Sequence, residues 1–129
     1  MPTSFSNPDG VFPPGSRYSH AALIEGDGGR RLVISGQVGV TPQGRLDPDP
    51  EAQIAQALAN LGTILDAHGM GLRNVVKVTI FLTDRELVPL WREERDRFFD
   101  GHKPANTLLL VAGFADPRFV VEIEAEAVD

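Results

Sequence analysis

The chain has 129 residues, 42% hydrophobic and 23% charged, which is enough apolar material for one substantial core and too little for two. Its formal charge of -6 sets the average field against phosphate backbones and anionic membranes, so nucleic acid is not an expected partner. The absence of cysteine excludes disulfides, thiolate metal ligands and cysteine nucleophiles.

One domain spanning residues 1–129 is therefore expected. The opening segment "MPTSFSNPDG" has no basic stretch followed by an apolar run, and no run of roughly 18 apolar residues occurs anywhere. The expected compartment is the cytoplasm. A short strand is expected near Phe5, followed by two antiparallel strands, "YSHAALIEG" and "RRLVISGQV", separated by a Gly-Asp-Gly-Gly turn at 26–29. In "TPQGRLDPDP", Asp49 is placed to cap a helix with Pro50 at its first position. The helix carries an apolar stripe of Ile54, Ala57, Leu58, Leu61, Ile64 and Leu65, and Gly69 is placed to end it.

The next strand is "NVVKVTIFLT". Alternation predicts Val76, Val78, Ile80 and Leu82 on one face and Val75, Lys77, Thr79 and Phe81 on the other. A second helix is predicted from Val88 to Phe99, with Pro89 in its first turn and Leu90, Trp91, Glu94 and Phe98 on one side. Its "REERDR" run, residues 92–97, reads as a solvated face, with Arg92 the residue placed to turn toward the sheet. Two strands, "NTLLLVAGF" and "VVEIEAEAV", close the chain. The order gives an α+β architecture. Two helices cover only one sheet face, yet Leu108, Leu109, Leu110 and Val111 are apolar on both, so self-association is expected to cover the second face.

Few residues suggest chemistry by themselves. His20, His68 and His102 are far apart, and no pair has helical ligand spacing, so no metal is expected. "SGQVGV" lacks the lysine of a phosphate loop and the third glycine of a dinucleotide fingerprint, and reads as a turn or bulge closing a strand, with Ser35 a hydroxyl at its end. Glu122, Glu124 and Glu126 share one strand face at spacings of roughly 7 Å. If an oligomer covers that face, one of them gains a raised pKa suited to acid-base work.

Six pieces, "ISGQV", "QALANLGTILDAHG", "NVVKVTIFLTD", "RFF", "KPAN" and "VEIEAEAV", occur in an order and spacing that resemble the Rid proteins, the reactive intermediate deaminases of YjgF type. The resemblance covers nearly the whole chain. It implies a chorismate-mutase-like mixed sheet with two helices on one face, assembled as a homotrimer with ligand clefts between subunits. It also implies cofactor-independent hydrolysis of small 2-imino acids and their enamine tautomers to a 2-oxo acid and ammonia. By position it assigns Tyr18 to the cleft, Ser35 and Gly36 to the strand-end Ser-Gly, and Glu122 to the attacking water.

The departure lies in "KPANTL". Deaminating members of that family have Pro-Ala-Arg-Ser, whose arginine grips the substrate carboxylate through a two-pronged contact. Here Asn106, Thr107 and Leu108 stand at the positions of that arginine, the serine and a frequent cysteine, and Arg92 stands where the family has a cleft asparagine. Losing one partner of a desolvated charge contact costs about 2–5 kcal/mol. The expected substrate is therefore an imine or enamine less acidic than the usual 2-imino acids, its polar end contacted by Asn106 and Thr107. Arg92 is the candidate for restoring a guanidinium. A non-catalytic metabolite-binding or regulatory trimer is the alternative reading, and an endoribonuclease acting as a translation inhibitor is a third.

Overall fold

The computed structural model describes residues 2–129. Strands β1 (Thr3–Ser6), β2 (Ala21–Gly26) and β3 (Gly29–Gln37) precede helix α1 (Pro50–Ala67); strand β4 (Val75–Leu82), helix α2 (Val88–Phe99), β5 (Ala105–Leu110) and β6 (Val121–Val128) follow. They form one six-stranded sheet in the order β1-β2-β3-β6-β4-β5. The β4–β5 pair is parallel because α2 carries the chain back between them, and every other pair is antiparallel.

The helices begin and end where local chemistry dictates. Asp49 accepts a hydrogen bond from the Ala52 amide at 3.3 Å, and Pro50 opens α1, where a missing N–H costs nothing. Asp100 and Gly101, both with positive φ, terminate α2. The α1 stripe of Ile54, Ala57, Leu58, Leu61, Ile64 and Leu65 is buried together with Leu32, Ile34, Val78, Ile80, Leu82, Val121 and Ile123 of the sheet. Phe98 of α2 packs over Gly62 of α1, so both helices lie against the same sheet face.

One register expectation fails. Val75 is buried and Val76 is exposed, the reverse of simple alternation with Val78. A shift in the β4–β6 register between Val75 and Lys77 is the cause, since one extra residue in a strand moves its neighbours to opposite faces.

The opposite sheet face has no helix. Lys77, Thr79 and Phe81 of β4 lie there beside Glu126, Glu124 and Glu122 of β6, to which they are paired in register. Thr107 and Leu109 of β5 are their partners on the other side, and Leu109 is 47% exposed. Phe5 is 69% exposed on β1, at the far edge of the sheet. Among the described residues no helix is long and apolar enough to cross a membrane.

Ile80 has no exposed surface and sits on β4, between β6 and β5 in the sheet. Ile80→Ala is expected to lower the unfolding free energy by about 2–5 kcal/mol in urea titrations at fixed protein concentration, because the removed carbons leave a cavity in the core. A loss below about 1 kcal/mol would show that this face is not close-packed.

Candidate active site

Two buried amides on α1 build the walls of a cleft. Gln53 donates to the carbonyls of Asp47 and Arg118 at 3.1 and 3.0 Å and accepts from the Val120 amide at 3.0 Å, tying the segment before β6 to the helix. Asn60 donates to the carbonyls of Val38 and Val40, both at 3.1 Å, and so fixes the chain that leaves β3. A side chain on Gly39 would come 2.5 Å from the Gln53 Cα, so only glycine lets the chain leaving β3 run this close to the helix.

Between these walls and the loop that precedes β2 opens a cleft of about 480 Å³. Tyr18, Gly36, Gln37 and Arg118 line it, with Phe12 and Phe119 as apolar surface. Its floor is held by buried His20. The imidazole Nε2 lies 2.7 Å from the Phe12 carbonyl and must donate to it, while Nδ1 accepts from the Gln37 amide nitrogen at 3.1 Å. The ring is thereby fixed in one tautomer, and its edge-on contact with Tyr18, at 6.0 Å between centroids, positions the half-exposed phenol at the rim. Ser35 donates its hydroxyl hydrogen to the Ser19 carbonyl at 2.6 Å, joining β3 to the Tyr18 segment and leaving the oxygen lone pairs as acceptors.

Glu122 is not among the residues lining this cleft, but its carboxyl group touches Gly36, which is. The β3–β6 register shifts between Ile34 and Gln37, and at that irregularity the Glu122 carboxyl group rests against the bare Gly36 backbone. A methyl group on Gly36 would lie 2.5 Å from Glu122 Oε1, so the carboxyl group would have to move from its present seat. Burial pushes the Glu122 carboxyl above the usual glutamate range, and the neighbouring Glu124 charge pushes it in the same direction. Arg118 contributes the cationic group of the cleft. Asp116 accepts from its guanidinium at 2.7 Å and from its amide at 2.9 Å, and these bonds hold the Asp116 carboxyl down to about 2.

The residues singled out from sequence separate into two groups. Tyr18 and Gly36 line the cleft, Ser35 stands beside Gly36 on β3, and Glu122 closes on Gly36 from β6. Asn106 and Thr107, being adjacent on β5, point to opposite sheet faces. Thr107 accepts from the Lys77 ammonium at 2.6 Å on the open face. Asn106 lines a separate cavity under α2, and Arg92 is exposed on that helix one turn before Arg95 and Asp96, which line the same cavity. Within one chain, then, Asn106 and Glu122 stand on opposite sides of the sheet.

Sequence reasoning missed His20, Gln37 and Arg118. The first two are legible only once β2 and β3 are paired; the Asp116-Pro117-Arg118 turn was visible, but not the cleft it faces. Among the described residues no group of three or more histidine, aspartate or glutamate side chains is gathered as for a metal ion.

Residues 11–129 match the family described as Endoribonuclease L-PSP. The chain is 40% identical over 113 residues to the 2-iminobutanoate/2-iminopropanoate deaminase of Rattus norvegicus, covering 86% of this chain and 79% of the relative. Among solved structures it resembles a protein from Entamoeba histolytica described as an endoribonuclease L-PSP, with a TM-score of 0.91 at 25% identity over 99% of this chain and 100% of the other. It also resembles E. coli TdcF with bound serine, with a TM-score of 0.87 at 27% identity over 98% of each.

The Glu122 environment makes a prediction about titration. The folded state holds the Glu122 proton more tightly than the unfolded chain does, so this group favours folding at low pH, and that contribution is lost as the pH rises through its raised folded value. Carbon-13 NMR titration should place Glu122 above the usual glutamate range, and Glu124→Gln should bring it part of the way down while burial keeps it raised. An ordinary Glu122 titration in the unmodified protein would show that the carboxyl group is fully hydrated.

Proposed function

Because the chain belongs to the Endoribonuclease L-PSP family, the Rid or YjgF-type proteins, we propose that it hydrolyses a small imine or enamine metabolite without a cofactor, with Glu122 as the group that activates water. The observation that carries the reading is the half-buried Glu122 carboxyl, seated on Gly36 at the edge of a cleft that also holds Tyr18. The names of the similar rat deaminase and of its relatives in Mus musculus and Homo sapiens support the same reaction class.

In this reading the ionised Glu122 takes a proton from water as the oxygen attacks the imine carbon, forming a carbinolamine. The same carboxyl group returns that proton to nitrogen to complete the carbinolamine, then carries the proton of the new hydroxyl to the same nitrogen as the C=O bond forms and the C–N bond breaks, and the carbonyl product and ammonia leave. A raised carboxyl pKa makes the carboxylate a stronger base. Tyr18 and the Ser35 oxygen orient the substrate, and Gly36 leaves room for both substrate and carboxylate.

Glu122 lies on the sheet face that the helices leave open, and Leu109 and Phe5 are exposed there. A homotrimer burying this face is the assembly we propose. It also supplies Asn106 and Thr107 with a route to the substrate, because a neighbouring chain can bring groups to a cleft that its own sheet separates them from. Asn106 in place of the arginine of deaminating members favours a substrate whose far end is polar rather than strongly anionic.

The bound serine in the TdcF structure keeps a metabolite-binding role in view for this chain, and one experiment separates it from catalysis. With 2-iminobutanoate generated in situ and ammonia release as the readout, Glu122→Gln is expected to lower kcat by about 100-fold or more, the scale of a positioned general base. Its KM should change little, because the amide preserves size and polarity. An unmodified protein that releases no ammonia above the uncatalysed rate, from this or from neutral imines, would exclude the enzymatic reading.

A further inference from the structure

Three buried amide side chains stand around the cleft, and they differ in what they leave unused. Gln53 donates to two carbonyls and accepts from the Val120 amide, so its nitrogen and its oxygen are both occupied. Asn60 likewise donates to two carbonyls, and its Oδ1 accepts from Gln56 at 2.9 Å. Gln37, only 2% exposed, commits both amide hydrogens to the chain, one to His20 Nδ1 at 3.1 Å and one to the Ser35 carbonyl at 3.2 Å. Its Oε1 has no donor among the described residues. The indole nitrogen of Trp91 is the one fully enclosed side-chain nitrogen or oxygen among them that lacks a partner, so Gln37 Oε1 is not sealed in and opens on the cleft that Gln37 lines.

The amide cannot be turned round. His20 Nε2 donates to the Phe12 carbonyl, so Nδ1 of the neutral ring is an acceptor and needs an N–H opposite it. Reversing the Gln37 amide would set its oxygen against that nitrogen and against the Ser35 carbonyl, acceptor facing acceptor on both sides. His20 is thus a positioning residue. Through its tautomer it holds a carbonyl oxygen at the cleft wall, close to the aromatic surface of Phe12 and Tyr18. A buried acceptor left open in this way lacks a donor that the chain itself does not provide.

We infer that Gln37 is a specificity-determining residue whose Oε1 accepts a hydrogen bond from the ligand's nitrogen. The cleft then selects a small molecule with an N–H-bearing imine, enamine or primary amine and a hydrocarbon body that packs on Phe12 and Phe119. A ketone or carboxylate in the same place sets oxygen against a fixed carbonyl oxygen and is rejected. The choice of nitrogen compounds rests on the imine reading, but the selection itself requires binding only and not turnover by Glu122.

Two probes of matched size, 2-aminobutanamide and 2-oxobutanamide, differ in carrying an N–H donor or a bare oxygen at the second carbon. Titration of the full-length protein, followed by NMR at the Gly36 and Tyr18 amides, should show the amine binding about tenfold more tightly or better, the effect of leaving a buried polar group unpaired in the other complex. Gln37→Met should reduce that ratio by about tenfold. The general attraction of a cation to an acidic protein is common to both proteins and cancels, and a purely structural Gln37 would weaken both ligands together and leave the ratio alone. Two readouts need no variant: nitrogen-15 shifts of the His20 ring should show the Nε2–H tautomer, and the Gln37 side-chain carbonyl carbon should shift with the amine and not with the ketone. The inference is overturned by the Nδ1–H tautomer, by no saturable binding of the amine in the millimolar range, by equal affinity for the two probes, by a Gln37 carbonyl signal that ignores the amine, or by an unchanged ratio in Gln37→Met. The predicted preference in a protein that releases no ammonia from any imine would support this inference while excluding the proposed reaction.

Discussion

Two helices cover one face of a six-stranded sheet, and that asymmetry sorts the side chains of the central strands into two environments. Val121, Ile123, Ala125 and Ala127 of β6 go under the helices, and Glu122, Glu124 and Glu126 go to the open side. A single strand thus supplies both the core and the acidic row. Because side chains alternate along a strand, neither set could move without the other. The open face is where Glu122 is half-buried rather than solvated, and where Leu109 leaves apolar surface exposed.

Glu122 differs from the other two glutamates through its contact with Gly36. The bulge in β3 lets the backbone approach the carboxyl group with no side chain between them, which removes water from one side of it. Burial and the Glu124 charge both act against ionisation, so Glu122 holds its proton more tightly than an exposed carboxylate does. The cleft beyond is rigid for a separate reason: its walls hang on the amides of Gln53 and Asn60, and its floor on the tautomer of His20. Fixed polar groups of this kind keep a reacting molecule in place at no further cost in ordering.

Much of this was legible in the chain. Asp49 and Pro50 marked the start of α1, Gly69 its end, and the apolar stripe its buried face, because caps and periodicity are local properties. The α+β architecture and the pairing of helices on one face followed from element order. What escaped was set by contacts between distant segments. No local signal distinguishes Val75 from Val76, since the bulge that exchanges them arises from pairing with β6. Gln37 looked like a strand-end residue and is a buried partner of His20, 17 positions away. Asn106 and Thr107 were expected to act together as neighbours in sequence, yet strand geometry sends them to opposite faces. Arg92 drew notice for its position, whereas the arginine that lines a cavity with Asn106 is Arg95, one helical turn later.

The proposed chemistry depends on a half-buried Glu122 with raised proton affinity as the group that activates water. The pH dependence of kcat/KM for 2-iminobutanoate hydrolysis tests it most directly, measured side by side on the unmodified protein and Glu124→Gln. Ionisation of the substrate is common to both and cancels in the comparison. The rate should rise with pH through an inflection above the ordinary glutamate range, and removing the Glu124 charge should move that inflection downward. Identical profiles for the two proteins, with no inflection attributable to a carboxyl group, would contradict the claim.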